Sequence, residues 1–227
     1  MIQHAKLPLG IPIKQIQVEV SALVDKWLPH FNIKHYEGNW TVLPLRSPGG
    51  ASEQIIPDLM GNQGYAETPM LNSCPIIKKL LESFQCPMMA ARLMNLAPGS
   101  FIKEHCDMDL AYEKGEARLH IPITTNPQVA FYVNSERVIM GEGECWYINV
   151  NLPHKVRNDG TTDRIHLVVD CVVNEWLKDV FNNSDVTKTN SVQKVKETLN
   201  IISELRLQNT EKSNQLADEL EQRLNVK

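Results

Sequence analysis

"ARLHIPIT", residues 117–124, alternates apolar residues with Arg118 and His120. In an extended chain successive side chains point to opposite faces, so Leu119, Ile121 and Ile123 share one face while Arg118 and His120 share the other. The same period recurs on either side, in "MMAARLMNL" (88–96), "VAFYV" (129–133), "ERVIM" (136–140), "ECWYINV" (144–150) and "RIHLVVDCVV" (164–173). Between these runs lie "APGS", "TTNPQ", "MGEGE" and "NDGTTD", which are rich in turn-forming residues. Short strands at such spacing predict an antiparallel barrel or a two-sheet jelly roll over residues 88–174. The fold class expected is therefore mainly β, with flanking helices.

The flanks read differently. Apolar residues at Ile11, Ile13, Ile16, Val18 and Val20 suggest an early strand, or a strand running into a helix that carries Leu23, Trp27 and Leu28. Residues 47–69 are rich in Gly, Pro and polar residues; a loop this long is expected to be a lid over the site or a disordered segment. Asn72 or Ser73 can cap a following helix with Pro75 in its first turn. Residues 1–87 are thus expected to pack on the core as strands and helices. In residues 175–227, Val192, Val195, Leu199, Ile202 and Leu205, then Leu216, Leu220 and Leu224, recur at three- and four-residue steps. They predict a helical pair that packs on the barrel or on a second subunit, which would make a homodimer.

At 227 residues with a net charge of −4, the chain has no cationic excess for a nucleic-acid backbone, while local arginines could still hold an acidic small molecule. The N-terminus lacks a signal-peptide pattern and no run is long and apolar enough for a membrane span, so a cytoplasmic protein is expected. Five cysteines without CxxC spacing argue against both a disulfide framework and a zinc ribbon.

The chemistry centres on "EHCDMD", residues 104–109. On a strand, His105 and Asp107 would project from one face and aim a nitrogen and an oxygen at one point. A third ligand, with His154 in "NLPHKVRNDG" as the candidate, would complete the two-histidine, one-carboxylate set that holds non-haem Fe(II) and leaves positions open. Arg164, opening "RIHLVVD", has the planar fork suited to a carboxylate such as the far end of 2-oxoglutarate.

The run "RLMNLAPGSFIKEHCDMD…ARLHIPI…GECWYINVNLPHKVRNDGTTDRIHLVVD" resembles the aspartyl/asparaginyl beta-hydroxylase family of Fe(II)- and 2-oxoglutarate-dependent oxygenases, and "NWTVLPLRSPGG" (39–50) resembles it more loosely. The resemblance implies a double-stranded beta-helix in which His105, Asp107 and His154 hold iron and Arg164 binds 2-oxoglutarate. It also places Arg118 and His120 beside cosubstrate and substrate, with O2 as the second cosubstrate. Arg46, Arg92 and Trp40 are further candidates for holding the substrate. Vertebrate-type members that modify secreted domains lack the metal carboxylate, whereas Asp107 is present here. A free amino acid or derivative is therefore the expected substrate, hydroxylated at an unactivated C–H bond with release of succinate and CO2. Desaturation at the same site, a peptide-borne aspartyl or asparaginyl substrate, and a non-catalytic metabolite-binding barrel are the alternatives.

Overall fold

Every alternating run of the central region contains a strand in the computed structural model, which describes residues 1–23, 26–56, 64–107, 109–189 and 191–225, without the side chains of 191–197 and 223–225. The chain divides into two compact units, Ile2–Thr187 and Met1 with Lys188–Lys227.

The larger unit is built on two antiparallel sheets. The strands are β1 (Ile2–Leu7), β2 (Leu28–Pro29), β3 (Tyr36–Glu37), β4 (Trp40–Pro48), β5 (Tyr65–Glu67), β6 (Met88–Leu96), β7 (Phe101–His105), β8 (Glu116–Thr124), β9 (Val129–Val133), β10 (Glu136–Val138), β11 (Cys145–Ile148), β12 (His154–Asn158), β13 (Arg164–Val172) and β14 (Asp185–Lys188). Among the described residues, nine form one sheet in the order β14-β1-β11-β8-β13-β6-β4-β2, with β5 also paired to β4. The other five run β10-β9-β12-β7-β3. This is the expected jelly roll.

The central strands β8, β13 and β6 are buried on both faces, which explains their nearly continuous apolar character. One face of each, carrying Leu119, Ile121, Leu167, Val169, Ala91 and Leu93, joins the main core with helices α1 (Ile13–Ser21), α2 (Pro75–Glu82) and α3 (Glu175–Asn182). Each large aliphatic side chain fully buried there contributes about 1.5–3 kcal/mol. The other face turns toward the second sheet, where Val42, Met94, Leu96, Phe131, Val133, Val156 and Val168 form a smaller core. On this second face β6, β8 and β13 also carry Arg92, Arg118, His120, Arg164, His166 and Asp170. Polar residues on a buried face have to be explained by what they bind.

Three expectations for the flanks are corrected. Residues 13–21 are a helix and the early strand lies before them, at Ile2–Leu7. Ile16 and Val20, four apart, are buried while Val18 is 70% exposed, so the helical period decides and the apparent alternation does not. Helix α1 ends at Ser21, before Leu23 and Trp27, and Leu28 belongs to β2 instead of a helix. At α2, Pro75 does occupy the first turn, but neither Asn72 nor Ser73 caps it; both lie in a preceding 3-10 turn, Pro69–Ser73. The helix's free N–H groups are instead met by the Glu19 carboxylate, 2.5 Å from Ile76 N and 3.0 Å from Ile77 N. Of the expected loop at 47–69, the two ends pair as β4 and β5, and residues 57–63 lie outside the described residues.

The smaller unit contains α4 (Ser191–Gln208) and α5 (Glu211–Asn225). Ile202 and Ala217 are buried, and Arg206 pairs with Asp218 and Glu221, the latter at 3.2 Å. Thr210 and Ser213 exchange side-chain and backbone hydrogen bonds at 3.0 and 3.1 Å, capping α5. The expected contributions of Val192, Val195 and Leu224 fall on side chains outside the described residues. Among the described residues no helix is long and apolar enough to cross a membrane.

Candidate metal centre

A cavity of about 850 Å³ opens between the two sheets. At its centre, antiparallel pairing of β7 with β12 sets His105 opposite His154, and their ring centroids are 4.2 Å apart. Asp107 lies two residues past the end of β7, where its backbone N–H donates to the Val150 carbonyl at 2.8 Å. Its Oδ1 is 3.7 Å from His105 Nε2. One potential ligand atom from each of the three residues lies within 4.8 Å of the others, a geometry that could hold a metal ion.

Strand parity, expected to bring His105 and Asp107 together, does not do so, because β7 stops at His105. Convergence comes instead from the Asp107 N–H bond to the Val150 carbonyl and from Arg118, whose Nη1 donates to Asp107 Oδ2. Cys106 between them is exposed.

Both imidazoles are set in one tautomer. His105 Nδ1 faces the Lys103 carbonyl at 2.8 Å, and His154 Nδ1 faces the Leu152 carbonyl at 3.0 Å. A carbonyl only accepts, so each Nδ1 carries the proton and each Nε2 keeps its lone pair for a ligand. Burial, reinforced by the neighbouring His105, pulls His154 down to about 4, which keeps it neutral near pH 7. Burial alone would raise the Asp107 carboxyl, but Arg118 and the two histidines hold it below the usual range.

Behind the triad stands a buried ion network. Asp170 on β13 lies directly across from Arg118 on β8. Arg118 Nε donates to Asp170 Oδ1 at 2.6 Å and Nη2 to Oδ2 at 3.0 Å, and Arg92 Nη2 donates to Oδ2 as well. Burial pushes Asp170 up, yet Arg118 and Arg92 outweigh it and bring the carboxyl down to about 2. Arg118 is therefore held by two carboxylates of the chain itself.

Arg164 is the contrast. It is 3% exposed, its Nη2 meets His166 Nδ1 at 3.0 Å, and its guanidinium lies 5.9 Å from the centre of the Phe131 ring. Its Nε has no partner, and among the described residues it forms no ion pair. Burial, unopposed by any carboxylate, pulls it down to about 9. His120, opposite Val168, also lines the cavity with both ring nitrogens unpartnered, and burial lowers it well below its ordinary value.

Of the remaining candidates, Arg92 and Trp40 line the cavity. Trp40 stacks on His30 at 3.5 Å between centroids, and burial followed by Arg92 lowers His30 to about 3, so this pair is a neutral aromatic wall. Arg46 lies outside the cavity lining; its Nη2 donates to Tyr65 O at 3.0 Å and Met88 O at 3.5 Å, tying β4 to its neighbours. Asp170, His166, His30 and His35 line or back the cavity without having been singled out from the sequence. Asp170 and His166 share the parity of Arg164 on β13, a signal present in "RIHLVVD".

A family model described as "Aspartyl/Asparaginyl beta-hydroxylase" matches residues 12–174. Among curated proteins, the L-proline cis-4-hydroxylase of Rhizobium meliloti (strain 1021) is 30% identical over 135 residues, which cover 59% of this chain and 48% of the relative. The chain spans about half the length of the curated relative it matches. Similar solved structures include an oxidoreductase of the 2OG-Fe(II) oxygenase family from Burkholderia pseudomallei (TM-score 0.47, 11% identity, covering 70% of this chain and 78% of that one). Another is a Pseudomonas putida prolyl-4-hydroxylase (TM-score 0.44, 11% identity, covering 77% and 94%).

Proposed function

Because the chain belongs to the aspartyl/asparaginyl beta-hydroxylase family, we propose that it is an Fe(II)- and 2-oxoglutarate-dependent oxygenase that hydroxylates an unactivated C–H bond of a free amino acid. The observation that carries this reading is Arg164: a buried guanidinium with no carboxylate partner among the described residues, lining the same cavity as two histidines and an aspartate whose ligand atoms converge. A buried cation left unpaired costs stability unless a ligand answers it.

The donor set fits the groups proposed. Two imidazoles whose Nδ1 atoms face backbone carbonyls, and a carboxylate held below its usual range, suit Fe(II) and leave open positions. His105, Asp107 and His154 would hold the metal, and Arg164 would take the distal carboxylate of 2-oxoglutarate, with His120 beside it. Iron and 2-oxoglutarate, when bound, would activate O2, the keto acid giving up two electrons as it becomes succinate and CO2. The chain's own task is to orient and to exclude water. Phe131, Met94, Val156 and Val168 line the cavity with apolar surface, and Arg92 and the Trp40–His30 wall are the groups we assign to the substrate. The relative's activity on L-proline supports a small amino acid, proline or a similar compound, over a peptide-borne residue.

The test has two stages. Protein loaded with Fe(II) without oxygen is titrated with 2-oxoglutarate, and a saturable visible charge-transfer band is expected. Free amino acids, with proline first, and an Asp- or Asn-containing peptide are then screened for succinate and for a product heavier by one oxygen. A product from the peptide alone would move the substrate to the alternative; no band with iron bound would overturn the oxygenase reading.

A further inference from the structure

Asp107 lies two residues past the end of β7, so strand geometry does not dictate where its carboxylate points. Something else has to aim it. Arg118 does so by donating Nη1 to Asp107 Oδ2, while Oδ1 remains on the side of His105 Nε2 at 3.7 Å. Arg118 in turn is aimed by Asp170, which takes the Nε and Nη2 edge of the guanidinium at 2.6 and 3.0 Å and leaves Nη1 to project. Asp170 is 5% exposed and sits in β13, the central strand of the larger sheet, with β8 on one side and β6 on the other. Arg92, from β6, pins it from the second side.

We infer that Asp170 is a positioning residue for the metal centre, which acts through Arg118 to keep one oxygen of Asp107 turned toward the two imidazoles. The inference rests on the proposal that His105, Asp107 and His154 bind a metal. Three aligned strands thereby transmit their rigidity across the cavity to a carboxylate outside any strand. Without Asp170, Arg118 is released to engage both oxygens of Asp107 in a two-pronged pair, in competition with the metal. Removing a partner that orients a ligand typically weakens metal affinity about ten- to a hundredfold.

Metal-free protein is titrated with Co(II) alone, read both as a dissociation constant and as the visible ligand-field spectrum. Asp170→Asn keeps the shape and removes the charge; Arg118→Lys keeps the charge and removes the fork that joins Asp170 to Asp107. Both are expected to raise the Co(II) dissociation constant about ten- to a hundredfold and to change the spectrum of the bound ion. Asp107→Ala is the control for the site itself. Wild-type affinity and spectrum in Asp170→Asn and Arg118→Lys, with binding lost in Asp107→Ala, would overturn the relay and leave the metal site standing. Unchanged binding in Asp107→Ala would overturn the metal site and the relay with it. Far-UV circular dichroism checks folding, and if Asp170→Asn does not fold, Arg118→Lys decides.

Discussion

Glu19, in the last turn of α1, presents its two carboxylate oxygens to the backbone N–H groups of Ile76 and Ile77 at the start of α2. One helix thus caps the next with a charged side chain where α2 has no capping side chain of its own. Glu19→Ala should lower the unfolding free energy by about 1–2 kcal/mol, and Glu19→Gln by less, since an amide oxygen still accepts. Urea unfolding followed by tryptophan fluorescence measures both; no difference between Ala and wild type would remove the cap from the account.

Arg164 carries an opposite expectation for stability and for binding. Arg164→Met removes a buried cation that lacks a carboxylate and replaces it with an apolar chain of similar length. The unliganded protein should become more stable by about 1–3 kcal/mol. Binding of 2-oxoglutarate should fall by two orders of magnitude or more, about 3 kcal/mol or above, because a desolvated charge pair is lost. Thermal unfolding with and without 2-oxoglutarate separates the two effects: the ligand-induced rise in Tm should vanish in the variant.

Asp170 sets an acid limit. Its carboxyl is lowered from 3.8 to about 2 in the folded protein, so the folded state binds the proton less readily than the unfolded chain. Its contribution is complete above about pH 4 and is lost as pH falls through about 2; a shift of this size corresponds to roughly 2 kcal/mol. Between pH 5 and 2 the unfolding free energy of Asp170→Asn should fall by that much less than that of wild type. Equal acid slopes would show that the pairing with Arg118 and Arg92 does not hold the carboxyl down.

Gly38 joins β3 to β4 with φ +86°, and a Cβ there would lie 2.3 Å from Ser100 Oγ, which accepts the Asn39 N–H at 2.8 Å. Gly38→Ala combines a left-handed backbone with this collision and should cost more than about 2 kcal/mol. Gly99→Ala is also left-handed (φ +72°) but meets open space, so it should cost about 1 kcal/mol less than Gly38→Ala if the collision matters.

The fold was legible wherever period two separated two chemistries. In "ARLHIPIT" and "RIHLVVDCVV" one parity is aliphatic and the other carries Arg118, His120, Arg164, His166 and Asp170, so strand and site could be read from the same letters. Asp170 lies inside the expected strand on the parity of Arg164, but its partnership is with an arginine on the neighbouring strand, which the letters of one strand do not encode. The N-terminal helix was hidden because Ile11, Ile13, Ile16, Val18 and Val20 fit an alternation over a window too short to distinguish it from a four-residue period. His30 and the Glu19 cap depend on segments distant in sequence meeting in space, which no local pattern encodes.

The two-faced burial of β6, β8 and β13 gives substitutions in these strands a simple grammar. Leu119, Ile121, Leu167 and Val169 meet the packed core, whereas Arg118, His120, Arg164 and Asp170, one residue away from an apolar neighbour, meet the cavity between the sheets. Each of the three strands thus answers to two demands at once: one set of letters to packing, and the letters between them both to the cavity and to one another, through the second core and the Arg92–Asp170–Arg118 pairs.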